Sequence, residues 1–327
     1  MRADHRIPSG INSLLGWLIL GEIVTVAYIA SIAKVADITG VAYVLFPELA
    51  ALAYDVFTRP KGTWARAPVM LVVTPAIAAV SGIIIERSLD YGFLSVLLSV
   101  AVSLIIIKGL RSPIAPAISA GLLPIVLKEG SWWYPVAILF GTALLVVSLF
   151  LYRKLVFKKS HDEPSWIGFA ETDAIEQPPR QYAWLPFFLA FLLIAIQLVK
   201  LTGLRFILFP PLAVIGYEMF AHSDSCPWAY KPIVLPVVCT LAALGGTFAI
   251  LFLGTGPFSA MVAVAVALAA CRVFSLYIPP AAAVSLLPFV VSHPSFMLPL
   301  AVGAGTAVLG LSFYSYHFLF LRTKKFF

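Results

Sequence analysis

Long apolar runs separated by short polar breaks make up most of the chain, and they come in the same order twice. In the first half they lie near residues 11–33, 40–57, 68–85, 91–108, 113–127 and 133–152. In the second half they lie near 183–200, 205–220, 232–252, 257–272, 279–291 and 296–320. Runs approaching the ~20 residues that cross a ~30 Å hydrocarbon layer predict membrane helices. The pattern therefore predicts an all-α polytopic membrane protein: two tandem repeats of about six transmembrane segments each. The opening run from Ile11 is too long for a signal-peptide core and reads as a retained helix. Residues 153–182 are the only sizeable polar stretch. They divide the chain into a first membrane repeat (1–152), a linker (153–182) and a second membrane repeat (183–327).

The repetition reaches individual residues. Val44-Leu45-Phe46-Pro47 through Tyr54-Asp55-Val56-Phe57 returns as Ile207-Leu208-Phe209-Pro210 through Tyr217-Glu218-Met219-Phe220, an offset of 207 − 44 = 163. From Trp64/Trp228 the offset is 164 and holds through Gly82/Gly246, Lys108/Arg272, Pro116/Pro280, Pro124/Pro288 and Gly141/Gly305. Duplicated membrane halves are a common build of transporters, whose sites form where the halves meet.

The fifth run of each half is short and proline-interrupted, with Pro113, Pro116 and Pro124 in one and Pro279, Pro280 and Pro288 in the other. Ser112 to Leu127 would be about 24 Å long at ~1.5 Å per residue, less than the bilayer core. Paired segments of this kind point to a transport site, because freed backbone groups are tolerated only beside protein or a wet cavity. Helices starting near Pro113/Pro116 and Pro279/Pro280 would present positive N-terminal ends that suit a small anion. The alternative is a pair of kinked helices packed around their prolines.

Composition fits this picture. The chain is 61% hydrophobic and 11% charged, with a mean hydropathy of +0.99 and a formal net charge of +7. That excess is spread in short clusters between apolar runs (Arg59, Lys61, Arg66; Lys108, Arg111; Arg153, Lys154, Lys158, Lys159; Arg322, Lys324, Lys325) and is no nucleic-acid signal. Six crossings per half put these clusters on one side, so the N-terminus, linker and C-terminus are expected to be cytoplasmic in a cell membrane, with parallel repeats. Five crossings per half would invert the repeats. Lys200 and Arg205 fall outside the pattern.

A few residues stand out as candidates for chemistry. Lys108 and Arg272 hold matched positions upstream of the short helices, where they either attract an anion or simply anchor the helix ends. Tyr54 and Tyr217 follow Pro47 and Pro210 by seven residues on one helical face and are candidate hydroxyl donors. Asp55–Arg59 and Glu218–His222 repeat an acid–base spacing of four, which predicts interfacial pairs that fix the helix ends. Glu48 sits within an apolar run, where an ionised acid is costly; it is a protonatable coupling site, one half of an ion pair or a snorkelling side chain. Its counterpart is Pro211.

Phe-Pro followed by small residues, then Tyr277-Ile278-Pro279-Pro280-Ala281-Ala282-Ala283 with Leu286-Leu287-Pro288, then a Gly-Thr helix, resembles the HPP family of integral membrane proteins. The resemblance covers roughly 205–320 and, more faintly, 42–152. The signature histidine is Ile278 here, and the first half keeps only Ala115-Pro116-Ala117. Family members are usually single units, often fused to nucleotide-sensing domains, and plant and cyanobacterial relatives are associated with nitrite transport. The resemblance implies a carrier or channel for nitrite or another small inorganic anion.

Enzymatic chemistry is not expected. The five histidines are scattered without metal-ligand spacing, and no GxSxG elbow or P-loop is present. No cofactor is implied, and the expected partners are the small anion and the lipid bilayer, with homo-oligomerisation compatible with the sequence. The alternative function is a non-transporting scaffold or lipid-interacting protein.

Overall fold

The computed structural model describes residues 9–156, 170–176, 179 and 182–321. Among them every regular element is helical. The first half carries α1 (Ser9–Thr39), α2 (Glu48–Thr58), α3 (Pro68–Ser88), α4 (Phe93–Gly109), α5 (Ala117–Leu127) and α6 (Trp133–Val156). A short helix α7 (Ala170–Ile175) follows in the linker. The second half carries α8 (Leu185–Thr202), α9 (Pro210–Ala221), α10 (Val234–Leu253), α11 (Pro257–Val273), α12 (Pro279–Val290) and α13 (Met297–Tyr316).

Among the described residues six helices are long and apolar enough to cross a membrane: α1, α3, α6, α8, α10 and α13. Helices α4, α5, α11 and α12 are apolar but shorter. Of the about six segments expected in each half, with the fifth short, three reach spanning length among the described residues. The second run of each half is as short as the fifth. Residues 40–57 read as one apolar stretch, yet a 3-10 turn at Ala42–Val44 precedes a helix of only 11 residues. Arg205–Leu208 does the same before the 12-residue α9. At ~1.5 Å per residue these helices are about 16–18 Å long, roughly half the hydrocarbon thickness. Their brevity is offset by burial, since every residue of α2 and all but the last of α9 are buried.

The connections gather at two ends. At one, the Arg153 guanidinium near the end of α6 donates to the carbonyls of Pro60 and Ala65 in the α2–α3 loop. Lys231 Nζ, before α10, donates to the Ser275 carbonyl after α11 at 2.9 Å. At the other, Arg205 after α8 lies 5.4 Å over the Tyr91 ring, and Lys200 lies 4.0 Å over Phe93. The linker leaves α6 at the first end, so it is called the linker end below.

Glycines set the closest helix approaches. A Cβ on Gly82 in α3 would overlap the Gly121 carbonyl oxygen of α5, and one on Gly246 in α10 would overlap the Ser285 carbonyl oxygen of α12. Both contacts join positions separated by the same step: 246 − 82 = 164 and 285 − 121 = 164. Only a residue without a side chain lets backbones meet so closely. Leu49 of α2 packs on Gly141 of α6, and Leu212 of α9 packs on Gly305 of α13. Each short helix is thus held against a long helix of its own half. The halves are then joined crosswise, α2 packing on α12 and α5 on α9.

Candidate functional site

A buried charge cluster lies at the linker end, where α2, α9, α12 and the linker come together. Asp55 of α2 and Arg59, one turn on and just past the helix end, form an ion pair at 2.6 Å with side chains 0% and 2% exposed. The expected pairing is present, but it is buried rather than interfacial. Arg59 Nη1 also reaches Asp173 at 3.1 Å, and Nη2 bonds the Glu176 carboxylate. Asp173 accepts a further bond from the Thr63 hydroxyl at 3.1 Å. Tyr277, just before α12, donates to Asp55 Oδ1 at 3.0 Å and lies 2.9 Å from the Thr58 hydroxyl.

The matched acid behaves differently. Glu218 is 2% exposed, and its Oε2 has no hydrogen-bond partner; nor has Nε2 of His222. The predicted Glu218–His222 pair does not form. Burial pushes the His222 imidazole down to about 4, so it is neutral near pH 7 and offers no charge to an acid. Burial, with the nearby Asp55 carboxylate adding to it, raises the Glu176 carboxyl well above its usual range, and Arg59 opposes both. Four carboxyl groups (Asp55, Asp173, Glu176, Glu218) thus gather about one guanidinium.

Glu48 occupies the first turn of α2, 1% exposed, and its Oε1 accepts a bond from the Ser119 hydroxyl in the first turn of α5. The starts of two short helices therefore meet at one acid. Tyr134 of α6 closes this region, donating to the Ala120 carbonyl at 2.8 Å. Glu48 has no basic partner among the described residues, which removes the ion-pair alternative. Glu48 was visible as an intramembrane acid; Ser119 was not, because nothing local marks a serine that meets an acid 71 positions away.

The helix starts fall where the prolines predicted. Pro116 caps α5, and Pro279 and Pro280 open α12. The free backbone donors expected there are partly spent. In α5 the Ala117 and Ile118 amides donate to the Ile114 and Ala115 carbonyls at 3.2 and 3.0 Å, and in α12 the Ala281 amide donates to Ile278 at 3.0 Å.

Lys108 and Arg272 are not brought together. Arg272 Nη2 pairs with Glu22 of α1 at 2.7 Å, whereas Lys108 Nζ lies 4.7 Å over the Tyr182 ring near the start of α8. The matched tyrosines also part company: Tyr54 stacks against Tyr277 at 4.8 Å, and Tyr217 meets Trp184 edge-on at 5.6 Å. Lys158, Lys159, His161–Pro164, Arg322, Lys324 and Lys325 lie outside the described residues. No group of three or more metal-ligating side chains that could hold an ion occurs among the described residues.

Residues 9–162 match the family model for the HPP transmembrane region. No curated protein and no solved structure matches the chain. The matched part is the first half and the start of the linker, although the Pro-Pro-Ala motif that carries the resemblance most visibly lies at Pro279–Ala283 in the second. The six helices of spanning length among the described residues make the chain a multi-pass membrane protein, and its first half is similar to the HPP transmembrane region.

Proposed function

We propose that this chain is a membrane transport protein, carrier or channel, for a small inorganic anion such as nitrite, built as two tandem parallel repeats with the path at their interface. The observation that carries the proposal is the set of four short helices, α2, α5, α9 and α12. Each is nearly or wholly buried, each starts at a proline, and they pack crosswise between the halves. Interrupted helices meeting at a repeat interface are how membrane folds place polar groups at depth. The equal steps between Gly82–Gly121 and Gly246–Ser285 support the tandem repeat. The N-terminus, linker and C-terminus are taken as cytoplasmic, on the positive side. No enzymatic step and no cofactor enters this reading.

In this reading Pro116, Pro279 and Pro280 fix the helix starts along the path, and Tyr54 and Tyr277 line its linker end. Lys108 and Arg272 are set aside as axial anion ligands because they lie against different neighbours. Glu48 is the coupling group. Its carboxylate stands at the first turns of α2 and α5, so an anion there is repelled when Glu48 is ionised and tolerated when it is protonated. Transport is then anion–proton symport.

The test is flux in proteoliposomes across nitrite, nitrate, formate, bicarbonate and chloride. Nitrite uptake should rise as the outside is acidified, and Glu48→Gln should keep uptake but lose its pH dependence. Absence of flux for every anion would favour a non-transporting, lipid-interacting scaffold. An unchanged pH profile in the Glu48 variant would remove the coupling role alone.

A further inference from the structure

The two sides of the bundle where one half meets the other are not alike. On one side α11 lies against α1, and the Arg272–Glu22 pair at 2.7 Å closes the seam. On the other, a cavity of about 730 Å³ separates α4 from the start of α8. Its walls are apolar, with Leu104 and Ile105 of α4 facing Leu185 and Leu189 of α8. Ile105 is 68% exposed, so the cavity is continuous with the outer surface of the bundle. Trp184 and Tyr182 line it near the linker end.

Two basic residues, Lys108 and Arg111, sit at that end. Helix α8 carries no acid in the role of Glu22, and among the described residues Lys108 lies over the Tyr182 ring. Neither base has a carboxylate partner among the described residues. Arg111 adopts a left-handed backbone (φ 49), as does the matched Ser275 (φ 48). The turn is shared by both halves, and at this conformation, unfavourable for most side chains, the first half places a long cation.

We infer that this cavity holds an anionic phospholipid, with one acyl chain between α4 and α8 and the phosphate on Lys108 and Arg111. An apolar cleft open to hydrocarbon gains dispersion contacts when a chain fills it. Basic pockets between membrane helices select anionic headgroups, at about fivefold in affinity per cation near the surface. The inference stands apart from the transport reading, since the cavity does not include Glu48 or the starts of the short helices.

The full chain in nanodiscs, with phosphatidylglycerol or phosphatidylcholine brominated on the acyl chains, reports occupancy through quenching of Trp184. Trp184→Phe identifies that residue's share of the emission. Phosphatidylglycerol should quench at a lower mole fraction than phosphatidylcholine. Lys108→Gln and Arg111→Gln should each erode the preference by about fivefold. Lys200→Gln, at the opposite end, should leave it intact. Ala101→Phe, which narrows the cleft without touching a charge, should reduce quenching by both lipids. Equal quenching by the two headgroups, or a preference that survives loss of both cations, overturns the inference. So does a preference abolished by inorganic phosphate, which would mark a soluble-anion site.

Discussion

Replacing Arg59 with alanine tests the buried charge cluster most directly. The guanidinium donates through Nε to Asp55 at 2.8 Å, through Nη1 to Asp173 at 3.1 Å, and through Nη2 to Glu176. Asp173 is 39% exposed and regains water when its partner goes, so its share is small. Asp55 and Glu176 are 0% and 1% exposed and regain none. Removing one partner of a buried pair costs about 3–5 kcal/mol, because the remaining charge stays desolvated. The unfolding temperature in detergent should then fall by roughly 5–15 °C near neutral pH. The pH dependence has a definite sign. A carboxyl whose folded-state pKa is raised, as for Glu176, contributes stability below its unfolded pKa and loses it as pH rises through the folded one. Deleting Arg59 removes the influence that lowers that pKa, so the penalty should grow toward alkaline pH and shrink in acid, where Glu176 takes up a proton. The assay is thermal unfolding followed by tryptophan emission across pH, wild type against Arg59→Ala. A variant as stable as wild type at alkaline pH, or a gap that widens in acid, would refute the reasoning.

Two further outcomes are expected. Gly82→Ala and Gly246→Ala should each destabilise by about 1–3 kcal/mol in the same unfolding assay, because the new methyl meets a carbonyl of the adjoining short helix; Gly16→Ala, where a Cβ meets nothing within 4 Å, should not. With the buried native cysteines inert, an impermeant thiol reagent added outside intact cells should label Asp90→Cys and spare Lys61→Cys; labelling of Lys61→Cys alone would reverse the proposed orientation.

Hydropathy and proline placement made the twelve bundle helices legible in the sequence, and the starts of α5 and α12 fall on the prolines that marked them. The length of α2 and α9 was not legible. Val44, Leu45 and Phe46 are as apolar as a lipid-facing turn, yet they are buried in protein. Hydropathy reports removal from water and does not distinguish lipid from neighbouring helices. The linker acids were hidden for a related reason: Asp173 and Glu176 read as solvated charges, and their partner Arg59 is more than a hundred residues away. Lys108 and Arg272 hold matched sequence positions, but where their charges go is settled by neighbours that differ between the two halves, Glu22 above all.

The glycine contacts constrain how the molecule can move. Where a carbonyl lies in the space of a missing side chain, neither helix can slide or roll without a clash, so α3 carries α5 with it and α10 carries α12. Any rearrangement of the bundle must treat these pairs as rigid bodies. The remaining freedom lies at the seams between the halves, α2 against α12, α5 against α9 and α1 against α11, where a small rotation of one half would shift all three together. The linker meets the end of α2 through Arg59, so any such rotation must either carry Glu176 with it or break its bond to the guanidinium.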